Sequence, residues 1–318
     1  MIPLSNATQP VVVLIGPTAI GKTALSLELA ERFAGEIVSA DSMQVYRYMD
    51  IGTAKASAAE RARFRHHCID IVNPDEQYDA ARFANDARAA ITAIHSRGKL
   101  PIVTGGTGLY LRALIEGIFE CLPADHAVRL ALQQKLAETG PDGMHAELAA
   151  CDPVSAARIH ANDHQRIIRA LEIFHVTGKP WSYHLEQQRR NRQDDEQRVI
   201  LQLGISCERH ELYHRINQRC RRMIEDGLEE EVAGLLARGY RKDLPSMRAI
   251  GYRHMVQYLE QAWSLEEMSE KLARDTRRYA KRQYTWFNAN PSIAWFSQTE
   301  SQKIAKTLNS WLNQLNFR

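Results

Sequence analysis

The chain has 318 residues and a formal net charge of +3, and 44% of its residues are hydrophobic and 25% charged. These values are typical of a globular protein with one large domain or two. No apolar run approaches the roughly 20 residues that a membrane span needs, and the first ten residues lack the basic start and apolar stretch of a signal peptide, so we expect a cytoplasmic protein without membrane contact.

An apolar strand predicted at 11–15 leads into the sequence GPTAIGKT, which matches the phosphate-loop pattern G-x-x-x-x-G-K-[ST]. The spacing of the next apolar residues predicts a helix over 22–34. In this setting the loop's backbone N–H groups would face a polyphosphate, Lys22 would supply a cation, and the Thr23 hydroxyl could hold Mg²⁺. The predicted phosphate-binding residues are Gly16, Pro17, Thr18, Ala19, Ile20, Gly21, Lys22 and Thr23.

Strands and helices alternate as far as residue 118, which predicts an α/β fold with a phosphate-loop-type parallel sheet covered on both faces. The further predicted strands lie at 36–40, 67–72 and 100–104, and the further helices at 79–97 and 108–116. Asp41 follows the second strand, Asp70 lies in the third, and Gly105, Gly106 and Thr107 follow the fourth. Since sites form at the carboxyl ends of such strands, we expect these loops to converge on the phosphate loop.

From 119 to 198 the strand signals end, and short helical patterns alternate with turn signals. We interpret this segment as an inserted all-helical domain, with 1–118 and 199–318 forming the catalytic core. A strand is predicted again at 198–206, followed by long helices near 208–237 and 265–287, a short strand at 293–296 and a closing helix. The turn signals in the insertion are Pro123, Thr139-Gly140-Pro141, Asp152-Pro153 and Gly178-Lys179-Pro180.

The residues after the strands limit the reaction classes. A nucleotide-hydrolysing motor usually has an apolar strand that ends in a magnesium-binding Asp, but here the candidate strand ends in Thr104 and Gly105. Hydrolysis is therefore not the obvious purpose of the loop. Asp41 stands where a base could take a proton from a nucleophile that faces the bound phosphates, and the alternative is a cap or turn residue before Ser42.

Arginines and lysines occur in three clusters, and in the last two the spacing places several cations on one helical face. Each cluster alone could be a solvated surface, but together they favour contact with a nucleic acid backbone. The clusters are Arg189, Arg190 and Arg192; Arg215, Arg219, Arg221 and Arg222; and Arg274, Arg277, Arg278, Lys281 and Arg282.

Histidine and cysteine give little sign of a metal site. His66 and His67 are adjacent on a predicted strand, so they should point to opposite faces. The five cysteines include no C-x-x-C pair, so we expect reduced, buried thiols and no zinc finger. The cysteines are Cys68, Cys121, Cys151, Cys207 and Cys220.

Longer motifs resemble a known family over nearly the whole chain. They are GPTAIGKT (16–23), DSMQVYRYMDIGTAK (41–55), HHCIDIVNP (66–74), GGTGLYLRAL (105–114), DHQRIIRALEI (163–173), RAIGYR (248–253) and AKRQYTWF (280–287). In these stretches the chain resembles the tRNA dimethylallyltransferases, or tRNA isopentenyl-diphosphate transferases, of the bacterial MiaA family. The resemblance implies transfer of a dimethylallyl group from dimethylallyl diphosphate to the exocyclic N6 of the adenine 3′ to the anticodon, with release of pyrophosphate.

The resemblance also implies residue roles. Asp41 would be the general base, Thr107 would lie beside the adenine, and Lys22 and Arg219 would hold the diphosphate, although Arg215, Arg221 and Arg222 are close rivals of Arg219. The partner would be the anticodon stem-loop of tRNA, and we expect a monomer. The implied tRNA contacts are Asp41, Ser42, Met43, Gln44, Thr107, Arg129, Gln165, Arg166, Ile167, Ile168, Arg169, Arg248, Ala249, Ile250, Gly251, Tyr252 and Arg253. Tyr252 and Trp286 could stack on bases, but core packing is the favoured interpretation of both.

Two other functions remain open from the sequence. A small-molecule or nucleotide kinase would use the same phosphate loop, with Asp41 activating a hydroxyl group. A phosphate-loop protein that only binds RNA is the other alternative. The basic clusters disfavour a kinase, and an acid near a phosphate-binding loop disfavours a protein that only binds.

Overall fold

The computed structural model describes residues 9–117, 122, 125–190 and 198–317, without the side chains of residues 188–190. The chain divides into two compact units. The first comprises Met1–Ile115 with Gln197–Arg318, and the second comprises Glu116–Glu196. Cys121, Pro123 and Arg192 lie outside the described residues, as do the side chains of Arg189 and Arg190.

A six-stranded parallel sheet forms the centre of the first unit, in the order β3-β2-β4-β1-β5-β6. The apolar residues of the first strand are almost completely buried, as expected for a parallel strand covered on both faces. The strands are β1 (Gln9–Ile15), β2 (Gly35–Ala40), β3 (His66–His67), β4 (Leu100–Gly105), β5 (Arg198–Ser206) and β6 (Ala294–Ser297). The predicted α/β class with a parallel sheet is confirmed.

Nine helices are described in the first unit. Those before the helical segment are α1 (Lys22–Arg32), α2 (Ala58–Arg63), α3 (Ala80–His95) and α4 (Gly108–Glu116), the last of which ends one residue into the second unit. Those after it are α9 (Arg209–Glu225), α10 (Leu228–Ala237), α11 (Tyr252–Leu259), α12 (Leu265–Asn288) and α13 (Ser301–Gln314). The single helix predicted over 208–237 is two helices, because Gly227 takes a left-handed conformation with φ of 100° between them.

The third predicted strand, 67–72, is wrong in extent. Only His66–His67 pair with β2, and Cys68 and Asp70 then take left-handed conformations with φ of 59° and 56°. A strand cannot continue through such residues. Asp70 therefore lies in a loop, where its carboxylate pairs with Lys55 and Arg61.

The second unit is helical throughout its described part, and the described residues there contain no strand. Its core is a cluster of apolar side chains that includes Leu132, Met144, Leu148 and Leu171. The helices are α5 (His126–Cys151), α6 (Pro153–Ala156), α7 (His164–Thr177) and α8 (Trp181–Arg190). The turn predicted at Gly140 is a break inside α5, where Gly140 has φ of 71° and ψ of 175°.

None of the described helices has both the length and the apolar character needed to cross a membrane. Cys68, Cys151, Cys207 and Cys220 are free thiols, and Cys68 and Cys220 are buried.

Candidate active site

The phosphate-loop motif joins the end of β1 to the start of α1. The loop turns tightly, with Ala19 and Gly21 in left-handed conformations at φ of 65° and 106°. Gly21 carries this conformation without the strain that a side chain would add. The ammonium group of Lys22 donates to the carbonyl oxygens of Gly16 and Pro17, at 2.9 and 2.8 Å. A cation and the positive end of a helix dipole are thus held at one point.

Two helices that are distant along the chain, α9 and α12, also contact the phosphate loop. Arg219 of α9 donates to Thr18 Oγ1 at 3.0 Å, and Arg215, one turn earlier, donates to the carbonyl of Ile20 at 3.3 Å. From α12, the amide oxygen of Gln283 accepts the backbone N–H of Thr18 at 2.9 Å. The amide nitrogen of Gln283 donates to the carbonyl of Gly106 at 2.8 Å, which links the phosphate loop to the loop after β4.

Asp41 begins a tight turn directly after β2. Its Oδ1 atom accepts the backbone N–H groups of Met43 and Gln44, at 2.9 and 3.4 Å. Asp41 is therefore a turn residue, as the alternative interpretation held, and this role fixes the carboxylate in place. Both of these bonds use Oδ1, so the turn leaves Oδ2 as the oxygen for a substrate proton.

Thr107 lies beside this turn. Its hydroxyl oxygen accepts the backbone N–H of Ser42 at 3.1 Å, and the hydroxyl donates to Ser42 Oγ at 3.4 Å. The approach depends on Gly105, since a Cβ atom there would lie 2.2 Å from the carbonyl oxygen of Ala40. The ends of β2 and β4 can therefore lie close enough to bring Asp41 and Thr107 together.

The loops converge on one cavity of about 250 Å³. The cavity is lined by parts of the phosphate loop, by residues of the turn at Asp41, by Thr104 to Gly106, and by side chains of α9 and α12. The charged side chains that line it are Lys22, Asp41 and Arg219, together with the titratable His66. The residues that follow β2 and β4 therefore meet the phosphate loop as predicted, whereas Asp70 does not line the cavity.

The charges in the cavity influence one another. Burial, followed by the positive charge of Arg219, lowers the pKa of Lys22 to about 7, while Asp41 acts in the opposite direction. Burial also raises the pKa of Tyr279 to about 12, with a further contribution from Asp41. A region with two confined cations favours a strongly negative ligand, because such a ligand would restore the charged form of Lys22.

The helix register of α9 separates the clustered arginines. Arg219 and Arg215 are one turn apart and both reach the phosphate loop. Arg222 is exposed, and Arg221 lines a different groove, between α9 and α12. Of these four arginines, Arg219 is the one that lines the cavity.

The 248–253 segment presents two exposed arginines around a buried tyrosine. Arg248 and Arg253 are exposed, and Arg253 also pairs with Asp275 at 2.7 Å. Tyr252 is fully buried, so it packs in the core and its ring offers no face for base stacking. Trp286, by contrast, is 37% exposed, beside Gly108.

In the helical unit, α7 carries the predicted contacts on different faces. Gln165 and Arg166 are exposed, whereas Ile167 and Ile168 lie in the hydrophobic core. The isoleucine side chains are therefore mainly core residues, and their contact with an RNA stays a prediction.

Arg129 and Arg169 converge on one buried carboxylate. They reach Glu172 Oε2 at 2.7 and 2.8 Å, and this side chain has no exposed surface. Burial alone would raise the pKa of Glu172, but the hydrogen bonds from the two arginines outweigh it and lower the pKa. Both arginines are thus held in place while parts of their side chains stay exposed.

The two histidines have separate partners. His66 Nδ1 lies 2.8 Å from the carbonyl of Phe64, and His67 Nε2 lies 2.8 Å from a carboxylate oxygen of Glu36. Nowhere in the described part of the chain do three His, Cys, Asp or Glu residues form a group that could hold a metal ion. The Thr23 hydroxyl lies in the first turn of α1 and is an oxygen ligand suited to Mg²⁺. Mg²⁺ uses few protein ligands when phosphate oxygens complete its coordination shell.

Comparison with known proteins relates this site to a family. The family model described as IPP transferase matches residues 44–290. A tRNA dimethylallyltransferase from Desulfotalea psychrophila is 55% identical over 97% of this chain and 98% of its own length. One from Geobacter sulfurreducens is 51% identical over 92% of this chain and 93% of its own length.

Solved structures agree with these matches. The tRNA isopentenylpyrophosphate transferase from Bacillus halodurans is 40% identical, with a TM-score of 0.70, over 97% of this chain and 98% of that one. A eukaryotic dimethylallyltransferase acting on tRNA is 30% identical, with a TM-score of 0.79, over 96% of this chain and 80% of that one. The resemblance noted in the motifs is confirmed, and the chain belongs to the IPP transferase family.

Proposed function

We propose that this protein transfers a dimethylallyl group from dimethylallyl diphosphate to the N6 atom of the adenine 3′ to the anticodon in tRNA and releases pyrophosphate. The observation that supports this most strongly is the shared cavity, in which a fixed carboxylate, Asp41, lies with the cations Lys22 and Arg219. The names of the relatives support the same reaction, since they describe dimethylallyltransferases that act on tRNA.

The cationic side of the cavity suits the leaving group. As the bond between the allylic carbon and the diphosphate oxygen breaks, its electron pair moves onto the diphosphate. Lys22, Arg219 and the backbone N–H groups of the phosphate loop would stabilise that growing charge. A bound Mg²⁺, held by Thr23 and phosphate oxygens, would supply further positive charge at the same place.

The Asp41 side of the cavity suits the acceptor. Adenine N6 is a weak nucleophile because its lone pair is conjugated with the ring. As the new carbon–nitrogen bond forms, one N6 proton would pass to the Asp41 carboxylate, which the backbone N–H groups of Met43 and Gln44 hold in place. The Thr107 hydroxyl lies beside the same turn and would contact the base.

The target adenine has to leave the anticodon loop to reach such a cavity, so the protein must also hold the surrounding strand. We assign this role to the turn at 41–44 and to the exposed polar residues of the two segments implied by the resemblance, including Gln165, Arg166, Arg248 and Arg253. The helical unit would then be a tRNA-binding domain. We propose that the protein acts as a monomer.

A matched pair of RNAs tests the acceptor atom. Purified protein would be incubated with labelled dimethylallyl diphosphate, Mg²⁺ and an anticodon stem-loop that carries either adenine or hypoxanthine 3′ to the anticodon. Hypoxanthine lacks the exocyclic amine, so we expect label in the first RNA only. Equal labelling of both would contradict N6 as the acceptor.

Binding of pyrophosphate should take up a proton at pH 8. The pKa of Lys22 is about 7 without an anion, so Lys22 is largely neutral at that pH. A bound anion favours the charged form and raises this pKa, and affinity should fall by up to about tenfold per pH unit above 7. Calorimetry in buffers of different ionisation enthalpy measures the uptake, and Lys22→Met is the control. Equal uptake by wild type and Lys22→Met would contradict the assignment.

Arg166→Gln should weaken tRNA binding and lower the salt slope of its affinity by about one. Arg166 is the better test than Arg169, since its side chain is 56% exposed and does not contact buried Glu172. Arg158→Gln, in the same unit but outside the implied segment, is the matched control. If both variants lower the slope equally, or neither does, α7 has no specific role in holding the RNA backbone.

A further inference from the structure

Glu231, in the first turn of α10, accepts four hydrogen bonds from two distant parts of the chain. Its Oε2 atom accepts the backbone N–H groups of Asp50 and Ile51, at 2.8 and 2.7 Å. Its Oε1 atom accepts the backbone N–H of Gly52 at 3.0 Å and the hydroxyl of Tyr252 at 2.6 Å. Bonds to an ionised acceptor are the stronger kind, so this carboxylate fixes both parts firmly.

The first of these two parts, residues 50–52, leads directly into residues that line the cavity. Thr53 and Ala54 line the cavity, and their carbonyl oxygens accept the side-chain amide of Gln44, at 3.3 and 3.4 Å. The backbone N–H of Gln44 in turn donates to Asp41. An unbroken series of contacts therefore runs from Glu231, through residues 50–54 and Gln44, to the carboxylate proposed as the base.

The second part is the 248–253 segment, which carries Arg248 and Arg253. Its buried Tyr252 packs directly on the first part, since a Cβ atom at Gly52 would lie 2.6 Å from the tyrosine ring. Neither part can shift by much without the other, and Glu231 bonds to both. The carboxylate thus connects the wall of the catalytic cavity with a segment that we assign to tRNA contact.

We propose that Glu231 is a positioning residue for the acceptor side of the reaction. It fixes the position of residues 50–54, and through them that of Gln44 and Asp41, relative to the 248–253 segment. The adenine then meets the carboxylate in reacting geometry. The phosphate loop receives none of its bonds, so the donor side should not depend on it. The inference rests on the proposed prenyl transfer to tRNA.

The Glu231→Gln variant tests the positioning role of Glu231, with Glu230→Gln as the matched control. Glutamine keeps the size of the side chain, but it turns one acceptor oxygen into an N–H₂ group that faces a backbone donor. Glu230 is the exposed neighbour in the same first turn of α10, so both variants lose the same favourable charge at a helix N-terminus. Rates of transfer to tRNA would be measured with both substrates saturating, together with the affinity and stoichiometry of pyrophosphate binding by calorimetry.

We expect Glu231→Gln to lower kcat by at least about tenfold through misplacement of the acceptor, with pyrophosphate affinity within about twofold of wild type. Glu230→Gln should match wild type in both. A wild-type kcat in Glu231→Gln, or a loss of pyrophosphate sites in parallel with kcat, would overturn the positioning role. No transfer by the wild-type protein would overturn the proposed function, and the inference with it.

Tyr252→Phe is a second variant that removes only one of the four bonds. We expect a fall in kcat/KM for tRNA of about threefold, with pyrophosphate binding unchanged. If Glu231→Gln does not fold, this variant decides the proposal, and a wild-type kcat/KM would overturn it.

Discussion

Asp41→Asn should lose at least about a hundredfold in kcat while it binds tRNA and pyrophosphate as wild type does, because a neutral amide cannot take the N6 proton. Asparagine is the most specific replacement at this position. Its amide oxygen can still accept the backbone N–H groups of Met43 and Gln44, so the turn after β2 is kept. Single-turnover transfer and equilibrium tRNA binding would be measured on the same preparation.

Asp41→Ala is the companion variant, because it removes both the base and the acceptor that holds the turn. It should lose turnover at least as severely as Asp41→Asn and should also bind tRNA less tightly. Near-wild-type turnover in Asp41→Asn would remove Asp41 from the chemical step.

Arg219→Ala should lower kcat by about 10² to 10³ and weaken pyrophosphate binding, because one of the groups facing the developing charge is lost. The side chain also bonds to Thr18, so its removal frees part of the phosphate loop. Steady-state kinetics with dimethylallyl diphosphate varied, together with calorimetry of pyrophosphate, would separate the two effects.

Arg222→Ala is the matched control, since Arg222 lies on the same helix but is exposed. It should keep wild-type kcat and pyrophosphate affinity, whether or not tRNA affinity changes. If the two variants lose kcat equally, the loss reflects the overall charge of α9, and Arg219 has no special role at the diphosphate.

The phosphate loop and its sheet could be predicted because their signals are local. An apolar run, a fixed glycine spacing and a helical pattern follow one another within 11–34, and the structure has them as β1, the loop and α1. The predicted extent of the third strand was wrong for an equally local reason. Residues 67–72 are suited to a strand by composition, but Cys68 and Asp70 take left-handed conformations that end it.

The contributions of α12 and α10 to the site could not be derived from the spacing of residues in the sequence. Gln283 and Tyr279 reach the cavity from α12, and Gln283 bonds to a residue 265 positions away in the chain. No local pattern indicates such a contact, although Gln283 lies inside the AKRQYTWF motif that carried part of the resemblance. Glu231 stood in no motif at all, and only the folded chain places it against residues 50–52.

Helix register explains what the sequence left open about the basic clusters. Arg219, the residue implied by the resemblance, had three close rivals between 215 and 222, because their rotation about α9 depends on where that helix packs. In the fold, residues 215 and 219 face the phosphate loop and 222 faces outward. The 165–169 segment shows the same effect, since one turn of α7 presents Arg166 to solvent and Ile167 to the core.

The most direct test of the central claim follows the prenyl group itself. The purified protein would be incubated with Mg²⁺, radiolabelled dimethylallyl diphosphate and unmodified tRNA, with γ-labelled ATP and candidate small metabolites in a parallel reaction, and the tRNA would be digested to nucleosides. We predict label in N6-(dimethylallyl)adenosine and none transferred from ATP. No prenyl transfer, with phosphate label moving from ATP to a small molecule, would contradict the account and indicate a kinase.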